Sequence, residues 1–156
     1  MIKQLFSAVF IVVFLSACTA QGFIGNNRES VKKKLEKHLL QTNAKATLQE
    51  TDSSLVLPFN DPKFKAVDFT FLFDDGGKCI AEIYSGCDTC LAKYLQQALD
   101  KKTYGWKQHG PNRFLSNQRN RISMELTAGE RGGLLIIRKI PLNRREYQKV
   151  LEGLKN

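Results

Sequence analysis

Three cysteines in the middle of the chain, Cys79, Cys87 and Cys90, are the residues best suited to chemistry by type and spacing. Cys87 and Cys90 form a C-x-x-C pair. Two thiols at this spacing close a disulfide, exchange electrons with another thiol pair, or contribute ligands to a metal ion. The sequence around the cysteines indicates which of these three chemistries applies.

The C-x-x-C pair lies between a predicted strand and a predicted amphipathic helix. This arrangement resembles the redox motif of thioredoxin-like proteins, in which the helix N-terminus stabilises the thiolate of the first cysteine. The resemblance implies a thiol-disulfide oxidoreductase with Cys87 as the attacking thiol and Cys90 as the resolving thiol. Against it, the preceding strand is the second arm of a Gly-Gly hairpin, and no α/β/α continuation leads to a proline placed before a strand.

A structural disulfide is the interpretation that we favour, because the N-terminus described below indicates export to an oxidising compartment. Cys79 lies eight residues before Cys87 and competes for it, so the bridge joins Cys87 to Cys90 or Cys79 to either of them. A zinc site made of the three cysteines and His109 is weaker, because the spacing fixes only two ligands. We expect no metal and no cofactor.

The rest of the sequence lacks the usual catalytic motifs. The strings G-x-S-x-G and H-E-x-x-H, the P-loop and the dinucleotide-binding G-x-G-x-x-G are all missing. The adjacent carboxylates Asp74 and Asp75 lie in a predicted turn, whose chemistry explains them. We therefore predict no catalytic residues and favour a non-catalytic binding domain over an enzyme.

Charge is distributed unevenly along the chain. The whole sequence has 24 Lys and Arg against 15 Asp and Glu; residues 51–100 hold four basic and eight acidic residues, whereas residues 101–145 hold eleven and two. A basic face in the C-terminal half is therefore expected to bind a ligand. We predict that it comprises Trp106, Lys107, Arg113, Arg119 and Arg121. The alternative is ordinary strand alternation, with aromatic side chains inward and cations outward.

Hydrophobic periodicity predicts the elements that position these residues. Helices are expected over 28–41 and 88–101 and from residue 143, where Asn143 and Glu146 form a capping box. The strongest strand is 67–73, which turns at Asp-Asp-Gly-Gly into an antiparallel partner over 78–84. Further strands are expected on both sides of the second helix. The class is α+β: a mainly antiparallel sheet of about five to seven strands with three helices, at least two packed on one face.

The N-terminus has the layout of a secretory signal peptide over residues 1–17, with Lys3 before an apolar run that ends at Leu15. Leu15-Ser16-Ala17-Cys18 resembles the lipobox of bacterial lipoproteins. The resemblance implies cleavage before Cys18 and its modification with lipid, including an acyl chain such as palmitate. We expect residues 18–27 to form the lipidated cysteine and a tether, and residues 28–156 a single domain. The alternatives are conventional cleavage after Ala20 and an uncleaved anchor.

These features predict the location and the partners of the protein. A lipidated Cys18 implies a lipid-anchored protein of the bacterial cell envelope, on the outer membrane and facing the periplasm. An exported basic protein rarely meets nucleic acid, so the expected partners are the membrane through the lipid anchor, and either an envelope protein or an anionic envelope polymer. An accessory, inhibitor or immunity-type role fits this set.

Overall fold

The structure, a computed structural model, describes residues 22–42, 46–61, 65–117, 121–129 and 132–154. Cys18, Arg119 and the predicted signal peptide lie outside the described residues. Three helices and eight strands follow one another in the described part. They are α1 (Arg28–Thr42), β1 (Gln49–Glu50), β2 (Ser54–Asp61), β3 (Lys65–Phe73), β4 (Cys79–Gly86), α2 (Asp88–Leu99), β5 (Trp106–Gly110), β6 (Arg113–Ser116), β7 (Ile122–Gly129), β8 (Gly132–Lys139) and α3 (Arg144–Gly153).

The strands form one antiparallel sheet in the order β1-β2-β3-β4-β8-β7-β6-β5. The predicted α+β class, three helices and antiparallel sheet are confirmed. The predicted number of strands, five to seven, is too low, because all the short segments on both sides of α2 join the same sheet. Even the two-residue β1 pairs with β2, through Gln49 and Glu50.

Helices α1 and α2 lie on the same face of the sheet. Side chains alternate between the two faces along a strand, so Phe69 and Phe71 point the same way. The cluster around Phe71 includes Val31 and Leu35 of α1, whereas Phe69 packs against the cluster that contains Leu91 of α2. Two helices thus cover one face, as predicted.

Helix α3 packs on the other face. Tyr147 and Leu151 of α3 form a small cluster with Leu115 of β6, whose side chain points away from that of Phe114 and hence away from α2. The Tyr147 hydroxyl donates to the Ser116 carbonyl at 2.7 Å. One edge of this second face is therefore covered by a short helix.

The fold is a repetition of one unit. Each half of the chain is a helix followed by a four-strand antiparallel meander, α1 with β1–β4 and α2 with β5–β8. The two meanders join at their last strands, where Ile83 of β4 lies opposite Ile136 of β8 in an antiparallel pair. Because β4 pairs with β8, the strands of the second half follow those of the first in reverse order, from β8 to β5.

The described chain enters the fold through residues 22–27, within the predicted tether. Phe23 is buried and its ring meets that of Phe71 edge-on at 5.0 Å. The backbone N–H of Gly25 donates to the Cys79 carbonyl, and the Cys79 N–H donates to the Asn26 carbonyl, both at 2.8 Å. The first described residues, from Gly22 onward, thus pack on the helix side of the sheet.

Candidate functional site

We call the face of the sheet opposite α1 and α2 the open face. Among the described elements, α3 alone lies on this side, over Leu115. Strand register shows which side chains point outward. One row runs across the sheet through Arg138, Ser123, Leu115 and Lys107, and the next through Ile136, Glu125 and Arg113.

A groove of about 580 Å³ lies at the β5–β8 end of the open face. We call it the basic groove. It has the size of a small-molecule site but is open along its length. Its polar lining comprises His109, Arg113, Ser123, Glu125, Arg138 and Lys139.

The charges in the basic groove are partly organised by an ion pair. Arg113 Nε donates to Glu125 Oε1 at 2.8 Å, and the Arg113 side chain is 58% exposed. Because this bond uses Nε, it orients the guanidinium and leaves its two terminal nitrogens to meet a ligand. Arg138 and Lys139 are exposed and have no ion pair with another described residue. Arg138, on the open face, and Lys139, at the end of β8, therefore line the groove beside an oriented arginine and have no acidic partner among the described residues. This arrangement favours carboxylate or phosphate groups.

The predicted ligand face is only partly assembled. Arg113 lines the basic groove, and Lys107 lies on the same side of the sheet, opposite Leu115. Trp106 points to the other face, where its Nε1 donates to the Ala98 carbonyl at 2.9 Å. Arg121 lies in a turn with φ of 50° and donates to the Leu142 carbonyl. Strand alternation, the alternative interpretation, explains why Trp106 is separated from the cations.

Five polar residues of the basic groove were not part of the predicted face: His109, Ser123, Glu125, Arg138 and Lys139. Arg138 and Lys139 belong to β8, which the chain reaches only after the β7–β8 hairpin. That hairpin places Arg138 opposite Ser123. The glycines at 132 and 133 mark the hairpin in the sequence, so counting the register back from them would have brought Arg138 beside the β6 and β7 residues.

The cysteines form one disulfide, between Cys87 and Cys90, with 5.2 Å between their Cα atoms. Cys87 is the N-cap of α2, and its sulfur accepts from the Cys90 N–H at 3.3 Å. Cys79 is a free, fully buried thiol. It sits at the opposite end of β4 from Cys87, about 26 Å away at the rise of an extended strand, which excludes the bridges to Cys79.

Burial is the main reason why the pKa of Cys79 rises to about 12, with the nearby Glu82 carboxylate adding to it. Such a thiol is protonated at physiological pH and does not react as a nucleophile. Cys87 is partly exposed, whereas Cys90 is only 5% exposed. Of the three candidate cysteines, Cys87 therefore presents its sulfur to solvent, at the start of a helix.

Glu82 is a buried acid that the sequence analysis missed. Its Oε1 accepts from the backbone N–H groups of Phe23 at 2.6 Å and Ile24 at 3.2 Å, and its Oε2 accepts from the Tyr84 hydroxyl at 2.9 Å. Burial raises the pKa of the Glu82 carboxyl, against the lowering effect of these hydrogen bonds. A cavity of about 10 Å³ beside it, lined also by Lys101 and Tyr104, is no larger than one water. Glu82 therefore holds the N-terminal segment rather than a ligand.

A break in the alternation along β4 explains why the burial of Glu82 was not predicted from the sequence. The β3–β4 register shifts between Leu72 and Phe73, so that Cys79 lies opposite Phe73 whereas Ala81 lies opposite Leu72. This irregularity puts Cys79 and Glu82 on the helix face and Ala81 on the open face. Strict alternation along the strand would place Cys79 on the same face as Ala81 and Ile83, but the strand changes phase between Cys79 and Ala81.

The described residues contain neither a metal-binding cluster nor a membrane-spanning helix. No group of three or more His, Cys, Asp or Glu side chains in that part of the chain is arranged to hold a metal ion. None of the described helices has both the length and the apolar character that crossing a membrane requires. Comparison with known proteins found no family model, no curated protein and no solved structure that matches this chain.

Proposed function

We propose that this protein is a lipid-anchored component of the bacterial cell envelope whose domain binds an acidic partner through the basic groove, without catalysis. The observation that carries the proposal is the groove itself: Arg138 and Lys139 stand beside an arginine oriented by Glu125. An accessory, inhibitor or immunity-type role is the general class. A partner with a cluster of carboxylates or phosphates complements this surface.

The position of the N-terminal segment supports this proposal. Gly22 lies on the helix side of the sheet, beside Tyr104 and Glu82. Cys18 precedes Gly22 by four residues, which span at most about 14 Å when fully extended. A lipid on Cys18 therefore holds the helix layer near the membrane. The open face and its groove then point away from the bilayer, towards soluble or neighbouring envelope components.

The number of acyl chains supports stable attachment. One chain binds a membrane only marginally, whereas each buried methylene of a second or third chain adds about 0.8 kcal/mol. The lipobox resemblance implies a diacylglyceryl group on Cys18, so anchoring does not depend on the domain. The domain surface remains available for the partner.

Charge reversal in the groove tests the proposed binding. The variant Arg138→Glu/Lys139→Glu changes two exposed groove cations and leaves the Arg113–Glu125 pair intact. The matched control, Lys33→Glu/Lys37→Glu, makes the same change of charge on the exposed side of α1. In affinity purification from solubilised membranes, we expect at least a tenfold loss of the partner with the groove variant and none with the control. Equal recovery with both variants would contradict a role for the groove.

A membrane-tethered thiol-disulfide oxidoreductase is the second candidate, because of the asymmetry of the disulfide. Cys87 is partly exposed at the N-terminus of α2 while Cys90 is buried, as an attacking and a resolving thiol need to be. The strand before the pair weighs against it, since β4 is antiparallel to both of its neighbours. The reduction potential of the pair separates the two candidates, as described below.

A further inference from the structure

We infer that the partner is a folded protein that covers the whole open face, with an apolar surface over its central strands and acidic side chains in the basic groove. This inference rests on the proposed function and specifies the kind of partner. It follows from the outward residues of the central strands, several of which are large and apolar.

Large apolar side chains make up much of the central part of the open face, among the polar residues Asp68, Thr70 and Ser85. An antiparallel sheet with one face in water normally alternates apolar side chains inward with polar ones outward. Here the strand register turns several apolar side chains outward on four adjacent strands, and each of them retains partial exposure to solvent. We call this set the apolar rows: Val56, Leu72, Ile83, Leu134 and Ile136.

No described element covers the apolar rows. Helices α1 and α2 pack on the opposite face, and the contacts of α3 centre on Leu115, Ile140 and Leu142 at the far edge. The apolar rows are therefore a surface accessible to a partner rather than a part of the core. Partly exposed apolar side chains that form a continuous surface mark interaction sites.

The apolar rows are continuous with the basic groove. Ile136 of β8 lies opposite Glu125 of β7, which pairs with Arg113, and Arg138 is the next outward residue along β8. A ligand seated in the groove therefore touches the end of the rows. The two surfaces are parts of one site, with an apolar centre and a charged border, which is the usual anatomy of a protein interface.

A protein fits this combined surface better than an anionic polymer does. A polysaccharide or a lipid headgroup neutralises the groove cations but leaves the apolar rows in water. Five adjacent strands, β2, β3, β4, β8 and β7, have eight or nine residues each, so at a spacing of about 4.8 Å and a length of about 26 Å they present about 600 Å². The basic groove beside them brings the open face towards the roughly 800 Å² that each partner buries in a typical stable complex.

Charge favours an acidic partner over a second copy of this chain. The chain has nine more basic than acidic residues, and the groove concentrates cations at one end of the open face. Two copies stacked through this face meet with the same net charge. Like charges brought together in this way oppose association by several kcal/mol.

Site-specific photo-crosslinking in intact cells tests the inference. The full chain is expressed with a photoreactive amino acid at Thr70 or Ile83 in the centre of the open face, at His109 in the groove, or at Leu40. Leu40 is 82% exposed on α1 and serves as the control. We expect the central and groove positions to give the same protein adduct, identified by mass spectrometry as an acidic protein, and Leu40 not to give it.

The identified protein is then purified and its affinity measured. We expect Ile83→Thr/Ile136→Thr to weaken binding at least tenfold, and Val150→Thr, on an exposed position of α3, to leave it unchanged. Thermal unfolding of each variant checks that the domain is intact.

Each of the remaining outcomes contradicts part or all of the inference. If His109 gives a protein adduct and the central positions give none, or if the isoleucine variants bind normally, the inference is overturned and the proposed function stands. If the adduct is a second copy of this chain, an acidic partner is excluded. If neither the centre nor the groove gives an adduct, the inference and the proposed groove function both fail.

Discussion

Glu82 and Phe23 are 59 residues apart in the sequence, and the Phe23 backbone N–H donates to the Glu82 carboxylate at 2.6 Å. This bond, with the second one from Ile24, fixes the segment nearest the predicted lipid anchor to the centre of the sheet. The bonds satisfy two backbone donors that would otherwise be buried without an acceptor. The Glu82 side chain thus links the segment nearest the predicted lipid anchor to the body of the domain.

Replacing this carboxylate should destabilise the fold. In Glu82→Leu the N–H groups of Phe23 and Ile24 lose their acceptor, and each unsatisfied buried donor costs about 1–3 kcal/mol. We expect the free energy of unfolding in urea to fall by about 2–5 kcal/mol, and amide exchange at Phe23 to accelerate. Glu82→Gln retains an acceptor oxygen and should lose less. Equal losses in the two variants would show that the hydrogen bonds contribute little.

The stability of the protein should depend on pH through the same group. Burial raises the pKa of Glu82 in the folded state, so the folded protein binds a proton that the unfolded chain has released. The contribution of Glu82 to the stability of the fold is therefore fully present below the ordinary glutamate pKa. It is lost as the pH rises through the pKa that Glu82 has in the folded protein. Tyr84, Tyr104 and Lys101 face the carboxyl. Tyr84 and Tyr104 are protonated in this range, since burial raises the pKa of both.

Urea unfolding measured at intervals across this pH range checks the sign. We expect the wild type to lose stability relative to Glu82→Gln as the pH rises. The charge of Lys101 lowers the pKa of Glu82, so Lys101→Met, which leaves the carboxyl in place, should shift the loss of stability to higher pH. A difference between wild type and Glu82→Gln that grows in the opposite direction would refute the assignment.

Cys18→Ser should abolish membrane association and leave the domain folded. The lipid is the expected anchor, and Ser cannot carry a thioether-linked diacylglyceryl group. We expect the variant to lack the lipid by mass spectrometry and to lose membrane association in fractionation by density, with a melting temperature unchanged from that of the wild type. Persistence of the variant in the membrane fraction with an unmodified serine would show that something other than lipid retains it.

The Cys87–Cys90 bridge should behave as a structural disulfide. Closing so small a loop contributes about 2 kcal/mol in the chain-entropy model, so Cys87→Ala/Cys90→Ala should unfold at a lower urea concentration. We expect a reduction potential below about −300 mV, measured by equilibration with dithiothreitol. Cys79→Ala, which leaves the bridge intact, serves as the control. A potential near −200 mV with an acidic Cys87 thiol would instead favour the oxidoreductase.

Gly132→Ala should disturb the hairpin that brings Arg138 into the basic groove. Gly132 has φ of +128°, and an added Cβ would lie 2.6 Å from the Gly86 carbonyl oxygen. Backbone strain of this kind costs about 1–3 kcal/mol, and the clash adds to it. The control Gly153→Ala meets no atom within 4 Å at the end of α3 and should be neutral or slightly stabilising. Thermal unfolding of both variants tests the contrast.

Local sequence patterns predicted much of this fold. Phe69, Phe71 and Phe73 alternate in a strand that turns at a Gly-Gly pair, and the structure has the predicted hairpin. The capping box of Asn143 and Glu146 is confirmed, because both of its reciprocal hydrogen bonds are present. These features depend on residues within a few positions of each other, where steric and hydrogen-bonding preferences act directly.

The candidate site was harder to predict because it depends on distant strands. Trp106 and Lys107 are neighbours in sequence but point to opposite faces, whereas Arg113 and Arg138 are 25 residues apart and line the same groove. Only the pairing of β6, β7 and β8 brings Arg113 and Arg138 together. The burial of Glu82 also depended on one irregularity in strand pairing, which leaves no clear mark in the sequence.

The repeated helix-and-meander unit gives the chain the form of a symmetric homodimer joined into one chain. The two units pair through β4 and β8, and the chain passes from the first unit to the second between β4 and α2. In a true homodimer every surface occurs twice and both copies must carry the same residues. A fused pair escapes that constraint, and the two units can specialise. The first unit receives the N-terminal segment through Phe71 and Glu82, and the second carries Arg113 and Arg138. The predicted attachment and the proposed recognition thereby fall on different halves of one continuous sheet.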